Sequence, residues 1–240
     1  MKSITISLYN RPKYTATLLE HLNNCYGIED YDITICCDPG NKQVENLALD
    51  FRKDQTSVIV NNRRYGCNTN IYQCLAIGFS KSDYHIHFED DTIPGKDCLK
   101  YFEWANERYK DDKSIFTVSS YVNSDSPTEH YFPANKNVDF TSQRNWFTPW
   151  GWATWKDRFE EMKSLWDFTG KNGSWDATIN YTARKNRNEI FPHVARSQNI
   201  GGELGTHVPS AEWHKEHHLN TYWIESLNNY QTVFKEVQWI

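Results

Sequence analysis

Short apolar runs alternate with longer segments of helical periodicity along the first half of the chain. Four runs rich in β-branched and aromatic residues are typical of strands, namely ITISLY, YDITICCD, TSVIVNN and DYHIHFED. Three segments between them carry apolar residues at helical spacing, namely KYTATLLEHLNN, KQVENLALDFRK and CNTNIYQCLAIGFS. Strands that alternate with helices of this length form right-handed βαβ units. We therefore predict an α/β fold with a mostly parallel twisted sheet flanked by helices.

The pattern changes after one further helix and strand. GKDCLKYFEWANERYKDD is amphipathic, SIFTVSSY is typical of a strand, and beyond them the periodicity fades into a loop-rich, aromatic half. No repeat, linker or low-complexity tract separates the two halves, and 240 residues suffice for one large core. We expect a single domain over residues 1–240 whose second half packs on the same sheet and completes the site.

Composition narrows the class of protein. The net charge is −5, so the chain lacks the basic surface of a nucleic-acid binder. The chain has no apolar stretch long enough for an integral membrane segment, and its N-terminus lacks signal-peptide features. We therefore expect a cytoplasmic protein, with peripheral attachment to a membrane as the alternative. The six cysteines form no CxxC pair and are expected to be reduced. Ten tryptophans could stack on sugars or bases, or simply fill a core.

Polar residues follow three of the predicted strands. In open α/β sheets, ligands bind beyond the carboxyl ends of the strands. The residues at these ends are therefore expected to face one crevice. They are Tyr9, Asn10 and Arg11 after the first strand, Asp38 after the second, and Glu89, Asp90 and Asp91 after the fourth.

The acidic triplet at the end of the fourth strand indicates a cation site. Three adjacent carboxylates repel one another, and a divalent cation relieves that repulsion. Mg²⁺ and Mn²⁺ prefer oxygen ligands and often take one or two carboxylates, with water and substrate phosphates as the others. In an extended chain Glu89 and Asp91 share one side and Asp90 points to the other. The alternative is a solvated acidic turn.

The order of motifs resembles the GT-A family of nucleotide-sugar glycosyltransferases. No glycine-rich phosphate loop is present, which leaves a metal to hold phosphates. ITISLYNRPKYTATLLEHL, ITICCDPGN and HFEDDTIPGKDCLKYF are similar to segments of the N-acetylglucosaminyltransferase family that initiates complex N-glycan branching. So are FTPWGWATWKDRFEEM, SWDATIN and FPHVARSQNIGGELGTH, and bacterial relatives with a WGWATW segment look closer still.

The resemblance implies a single GT-A domain and an inverting, metal-dependent transferase. Its first half, to about residue 120, would bind the nucleotide and its second half the acceptor. The implied cofactor is Mn²⁺ or Mg²⁺, the donor a UDP-sugar, and the acceptor a carbohydrate or glycoconjugate. By this resemblance Asp91 would coordinate the metal and Asp90 would lie near the ribose. Glu89 would contact the donor sugar, and Asp38 would contact uracil.

Other positions take their roles from the same resemblance. Asp176 would be the catalytic base, although Ala177 replaces the second acid of the family motif. His207 would be a second metal ligand, and its nitrogen would favour Mn²⁺. The resemblance also places Leu8, Tyr9, Asn10 and Arg11 in the loop that borders the base. Position adds Arg64, which follows the third strand and could instead form a surface salt bridge, and Asn68 at the start of the next helix. Trp150 and Gly151 are assigned to the wall of the sugar pocket, where tryptophan can stack.

Simpler interpretations accompany these roles. Asp176 could instead cap a following helix, and Trp152 and Trp155 fit one face of a helix, with Trp155 in the core. His214, His217 and His218 lie at helical spacing without the partners of a recognisable zinc site. The rival functions are a nucleotidyltransferase, whose glycine-rich basic signature is absent, and a non-catalytic carbohydrate-binding protein.

Overall fold

A computed structural model describes residues 1–123, 137–171, 173–203 and 208–237. The strands are β1 (Lys2–Leu8), β2 (Tyr31–Cys37), β3 (Thr56–Val60), β4 (Tyr84–Glu89), β5 (Thr92–Pro94), β6 (Ile115–Ser119), β7 (Phe140–Arg144), β8 (Trp152–Trp155), β9 (Asn188–Pro192), β10 (Ser197–Asn199) and β11 (Lys235–Glu236). The helices are α1 (Pro12–Asn23), α2 (Lys42–Asp50), α3 (Cys67–Lys81), α4 (Cys98–Tyr109), α5 (Lys156–Lys163), α6 (Trp175–Thr178), α7 (Ala211–His217) and α8 (Ile224–Leu227). A 3₁₀ turn covers Ile28–Asp30, and a π-helical turn covers Ile179–Ala183.

Nine strands form one sheet in the order β11-β7-β9-β6-β8-β4-β1-β2-β3. β1 pairs in parallel with both β2 and β4, and β2 pairs in parallel with β3. This arrangement confirms the predicted α/β fold with a mostly parallel sheet. The carboxyl ends of β1, β2 and β4 consequently meet at one edge.

The second half of the chain adds strands to the sheet that the fading periodicity did not predict. β8 lies between β4 and β6 and is antiparallel to both, while β7 is antiparallel to β9. Residues Trp152–Trp155 therefore form a strand, and the helix face expected for Trp152 and Trp155 is wrong. Trp155 is buried, as expected for a core residue.

Two apolar layers cover the faces of the sheet. Ile4, Ile6 and Leu8 of β1 belong to a layer with α1 and α4, whereas α3, α5 and α6 pack in a second, aromatic layer. The second layer contains Trp152, Trp166 and Trp175. Trp152, Trp155, Trp166 and Trp175 are therefore buried in the hydrophobic core. Within the described residues, no helix is long and apolar enough to cross a membrane.

Candidate functional site

A cavity of about 850 Å³ opens at the carboxyl ends of β1, β2 and β4. Its walls come from these strand ends, from the start of α3, and from segments of the second half around α6 and β10. The sequence-predicted residues that line it are Leu8, Tyr9, Asn10, Arg11, Asp38, Arg64, Glu89, Asp90, Asp91, Trp150 and Asp176. Asn68 and Gly151 lie outside the lining, and His207 falls outside the described residues.

The acidic triplet faces the cavity with all three side chains. β4 ends at Glu89 and the chain turns at the next two residues, so Asp90 does not point away from Asp91 as an extended chain would require. The guanidinium of Arg11 joins the two aspartates. Its Nη1 donates to Asp91 Oδ2 over 2.8 Å, and its Nε donates to Asp90 Oδ2 over 3.1 Å. Arg11 Nη2 donates to the other oxygen of Asp90.

Negative charge exceeds positive charge in the cavity wall. Five carboxylates line it, from Asp38, Glu89, Asp90, Asp91 and Asp176, against the two guanidinium groups of Arg11 and Arg64. Burial, followed by repulsion from Asp91 and Asp90, raises the pKa of Glu89 well above its ordinary value. Burial also raises the pKa of Asp90 to about 6, although the Arg11 charge acts in the opposite direction. The site is therefore electrostatically prepared for an added cation.

The donor set suits a hard divalent cation that shares its coordination with a ligand. The described residues contain no group of three or more His, Cys, Asp or Glu side chains arranged to hold a metal by themselves. Mg²⁺ and Mn²⁺ do not need such a group, because one or two carboxylates and the phosphates of a substrate complete their shells. Asp91, at the cavity surface beside Asp90, supplies an oxygen donor of this kind. The residues present fit the metal that the sequence implies.

Asp38 lies at the cavity edge and organises the loop before α3. Its Oδ1 accepts hydrogen bonds from Asn61 Nδ2 over 2.9 Å and from the Tyr65 amide over 3.0 Å. Its Oδ2 accepts one from the Gly66 amide over 2.7 Å. The carboxylate is 3% exposed, so much of its hydrogen-bonding capacity is used within the protein. Its proposed contact with a base competes with this loop-holding role.

Two further predicted residues shape the cavity through their contacts. The Arg64 guanidinium lies over the ring of Tyr9 at 4.4 Å, which joins the ends of β1 and β3 into one wall. Asn68 acts behind the wall. Its Nδ2 donates to the Asp167 carbonyl over 2.7 Å, and its Oδ1 accepts from the Trp175 amide over 3.1 Å. Asn68 thus fixes the segment that carries Asp176.

Asp176 is the second residue of α6 and lines the cavity. Ser174, not Asp176, occupies the N-cap position, so the alternative interpretation of Asp176 as a cap is wrong. The Ser174 hydroxyl donates to Asp176 Oδ1, which orients the carboxylate. Trp175 is buried against Trp152 and Trp166, with ring centroids 5.7 and 6.2 Å apart. The half-buried Asp176 carboxylate therefore lies next to a tryptophan that is fixed by aromatic packing.

Trp150 lines the cavity, and Gly151 follows it in the chain without lining the cavity. The Trp150 ring lies edge-on to Tyr121 at 4.7 Å and to His218 at 4.5 Å. Gly151 has a φ of +78°, and a Cβ there would lie 2.5 Å from the Ser120 hydroxyl, so a glycine is required. Gly151 therefore supports the wall without lining it.

The cavity also contains residues that the sequence did not single out for the site. They are Ser7, Gly66, Cys67, Asn70, Ile71, Pro149, Ser174, Trp175, Asn199, Gly201, Val208 and His218. Its place near the carboxyl end of β1 could have indicated Ser7. Burial lowers the pKa of His218 to about 4, so this ring is neutral at the cavity wall. Asn199 and His218 reach the cavity through tertiary packing, for which the local pattern carried no signal.

The fold matches solved structures of GT-A glycosyltransferases. The mannosyltransferase PcManGT from Pyrobaculum calidifontis, in complex with GDP-Man and Mn²⁺, superposes with a TM-score of 0.59 at 12% identity over 86% of this chain and 59% of that one. TarS 1–349 of S. aureus in complex with UDP gives a TM-score of 0.61 at 12% identity, over 82% and 60%. The complex of TarS 1–349 with UDP-GlcNAc gives 0.61 at 12% identity, over 82% and 58%.

These likenesses establish the fold. The chain spans about three fifths of the length of these solved structures. No protein-family profile and no curated protein matches the sequence. The more specific resemblance to N-acetylglucosaminyltransferases and to relatives with a WGWATW segment stays a prediction.

Proposed function

We propose that this chain is a glycosyltransferase that moves a sugar from a nucleoside-diphosphate sugar to an acceptor hydroxyl, with inversion at the anomeric carbon. The observation that carries the proposal is the convergence of four carboxylates, from Glu89, Asp90, Asp91 and Asp176, on one cavity beyond the parallel strands. The solved structures with this fold include complexes with GDP-Man and with UDP-GlcNAc. A cavity of about 850 Å³ is large enough for a ligand of that size.

The donor would lie across the strand ends. Tyr9, Asn10 and Arg64 would border the base at the edge of the cavity, where Asp38 holds the adjoining loop. Asp90 would approach the ribose, and Glu89, at the cavity floor, the transferred sugar. UDP is the proposed nucleotide, because the implied base contact of Asp38 follows the uracil-binding pattern.

A divalent cation, Mn²⁺ or Mg²⁺, would be held by Asp91 and, when bound, would neutralise charge that develops on the diphosphate. His207 is proposed as its second ligand. Arg11 has a related task within the protein itself, because it already pairs with Asp90 and Asp91. Its guanidinium keeps the two carboxylates together and turned toward the cavity.

Asp176 is the proposed general base. The acceptor oxygen forms a bond to the anomeric carbon while the bond from that carbon to the diphosphate oxygen breaks, and its electron pair leaves with the nucleoside diphosphate. The acceptor proton passes to an Asp176 carboxylate oxygen. Ser174 donates to that carboxylate and fixes its direction. Trp150, which also lines the cavity, is the proposed stacking partner for a pyranose ring of the donor or acceptor.

Two variants separate transfer from binding. Asp176→Asn keeps the shape of the side chain but removes the base, so release of nucleoside diphosphate in the presence of a saccharide acceptor panel should fall ~10²- to 10⁴-fold. Nucleotide affinity, measured by calorimetry, should stay near the wild-type value. Asp91→Asn should weaken cation-dependent nucleotide binding. Wild-type turnover in both variants would overturn the roles proposed for Asp176 and Asp91. Nucleotide binding by the wild type without turnover on any acceptor would exclude the proposed function and favour a binding protein.

A further inference from the structure

A line of polar side chains lies buried along the seam between β1 and β4. Parallel pairing places Ser3 opposite His85 and Thr5 opposite His87, with Ser7 next in line at the cavity. Alternate residues of a strand share one face, so these five side chains lie on the same side of the sheet. Central strands of parallel sheets are usually apolar on both faces. A polar line at this position therefore needs a physical explanation.

Hydroxyls and imidazoles alternate along the line and form a continuous hydrogen-bonded chain. Ser3 Oγ is 2.8 Å from His85 Nδ1, and His85 Nε2 is 2.8 Å from Thr5 Oγ1. Thr5 Oγ1 is 3.0 Å from His87 Nδ1, and His87 Nε2 is 3.4 Å from Ser7 Oγ. The chain thus runs from the start of β1 to the floor of the cavity.

The two imidazole rings are fixed in position and neutral. Helix α3 passes so close to His85 that a Cβ on Gly78 would lie 2.3 Å from the ring, and glycine is therefore required there. The ring of His87 lies edge-on to Trp152 and Trp175, with centroids 6.3 and 6.4 Å away. Burial lowers the pKa of His85 and of His87 to about 3. At neutral pH each ring consequently has one N–H donor and one acceptor nitrogen.

The end of the chain at Ser3 offers an acceptor that would set the direction of every hydrogen bond. A backbone carbonyl can only accept, so when the Ser3 hydroxyl donates its hydrogen to the Gly78 carbonyl, 3.4 Å away, it cannot also donate to His85 Nδ1. Ser3 Oγ must then accept from His85 Nδ1–H, which leaves His85 Nε2 to accept from Thr5. By the same reasoning Thr5 accepts from His87 Nδ1–H, and His87 Nε2 accepts the hydrogen of Ser7.

We propose that this chain makes Ser7 Oγ a hydrogen-bond acceptor toward the cavity, where it receives a neutral hydroxyl of the bound sugar nucleotide. Ser7 is then a binding residue, and His87, Thr5 and His85 are positioning residues. A phosphate oxygen without a hydrogen finds no donor at Ser7. The ribose or the transferred sugar, and not the diphosphate, therefore lies at this part of the floor. The identity of the ligand rests on the proposed function, whereas the direction of the chain does not.

The direction can be measured in the ligand-free wild-type protein. NMR spectra of protein labelled with ¹⁵N at histidine distinguish a protonated Nδ1 from a protonated Nε2. We expect Nδ1–H in both His85 and His87 at pH 7. Protonation of His87 at Nε2 would reverse the last hydrogen bond and overturn the proposal.

The ligand is tested by titration, in the presence of Mn²⁺, with UDP, UDP-glucose, UDP-GlcNAc, GDP-mannose and inorganic pyrophosphate. Ser7→Ala should weaken the best-bound nucleotide or sugar nucleotide roughly three- to tenfold, the range of one hydrogen bond, and leave pyrophosphate affinity unchanged. Ser80→Ala is the matched control, because that exposed hydroxyl donates to a backbone carbonyl 2.7 Å away on the outer part of α3. Equal affinities of Ser7→Ala and wild type for every nucleotide would overturn the proposal.

A second pair of variants separates positioning from folding. His87→Gln places an amide near the Nε2 position and should retain most of the affinity, whereas His87→Asn reaches only the Nδ1 position and should match Ser7→Ala. If His87→Gln lost as much nucleotide affinity as His87→Asn, the positioning role of His87 would be contradicted. If the wild-type protein binds no member of the panel, the proposed function fails, and the proposed ligand of Ser7 fails with it. If the wild type binds and Ser7→Ala binds equally, this inference alone is overturned.

Discussion

Two buried arginine–carboxylate clusters in this protein differ in charge balance. Arg144 and Glu189 lie within the sheet with side chains each 1% exposed, and Glu189 Oε1 accepts from Arg144 Nε over 2.9 Å and from Nη2 over 2.8 Å. Its Oε2 accepts from the Thr117 hydroxyl and the Thr148 amide. Within the described residues the Glu189 carboxylate is paired with a guanidinium, and both of its oxygens accept hydrogen bonds.

The cluster around Arg11 is not balanced in this way. Arg11 binds Asp90 and Asp91, and five carboxyl groups line the cavity against the guanidinium groups of Arg11 and Arg64. The first cluster joins β7 to β9 and β6 through hydrogen bonds within the sheet. The second has unneutralised negative charge that opens to the cavity. An excess of negative charge, more than burial or ion pairing itself, therefore distinguishes the candidate site from a structural ion pair.

The largest effect is expected when the balanced cluster is broken. Glu189→Gln removes the carboxylate that pairs with Arg144 inside the sheet, and we expect the free energy of unfolding to fall by about 3 to 5 kcal/mol. Chemical denaturation at pH 7 measures this loss. The control is Glu160→Gln, because that carboxylate is 52% exposed in its pair with Lys163 and should change stability by less than about 1 kcal/mol. Equal losses for the two variants would show that the buried pair is not structural.

Removal of a charge from the unbalanced cluster should affect binding more than folding. Asp91→Asn relieves repulsion in the cavity, so we expect unchanged or slightly higher stability. The affinity for UDP in the presence of Mn²⁺ should fall roughly thirtyfold, or about 2 kcal/mol, as for the loss of one partner in a buried charged contact. Calorimetry on Asp91→Asn and on the exposed control Asp54→Asn makes the comparison. If Asp91→Asn strongly lowered the free energy of unfolding, Asp91 would have a structural role like that of Glu189.

The pH dependence of Asp90 provides a smaller effect of defined sign. Because its pKa is raised to about 6 in the folded protein, folding favours the protonated form, and stability is lost as pH rises through 6. Asp90→Asn removes that dependence. Between pH 4.5 and 7, the free energy of unfolding of the variant should therefore improve relative to the wild type by about 2 kcal/mol. Denaturation curves at both pH values measure the difference, and a relative change of opposite sign would contradict the raised pKa.

The first half of the fold was predictable from sequence because its periodicities are strong. The predicted segments agree with β1, β2 and α3 to within a few residues. The second half was not predictable at this level. The aromatic run at Trp152–Trp155 fits a helix face or a strand equally well, and its antiparallel pairing between β4 and β6 is decided by tertiary structure.

The candidate site shows the same division. Residues at strand ends, such as Asp38 and Asp91, could be assigned to one cavity by the rule for parallel sheets. The bridge from Arg11 to two aspartates and the approach of His218 depend on side-chain packing that no local pattern encodes. Ser3, Thr5, His85 and His87 could have been noticed as polar residues in predicted buried strands. Their hydrogen bonds required the register of β1 and β4.

We infer that the excess negative charge of the cavity serves to bind a sugar nucleotide together with a divalent cation. This role of the charge is tested most directly by the thermal midpoint of the wild-type protein with UDP or GDP, each with and without Mn²⁺. At a nucleotide concentration of 100 times Kd we expect stabilisation by about 2.7 kcal/mol, a rise of roughly 5 to 10 °C, for one nucleotide and only with Mn²⁺ present. Midpoints that stay unchanged with both nucleotides in the presence of Mn²⁺ would contradict the account.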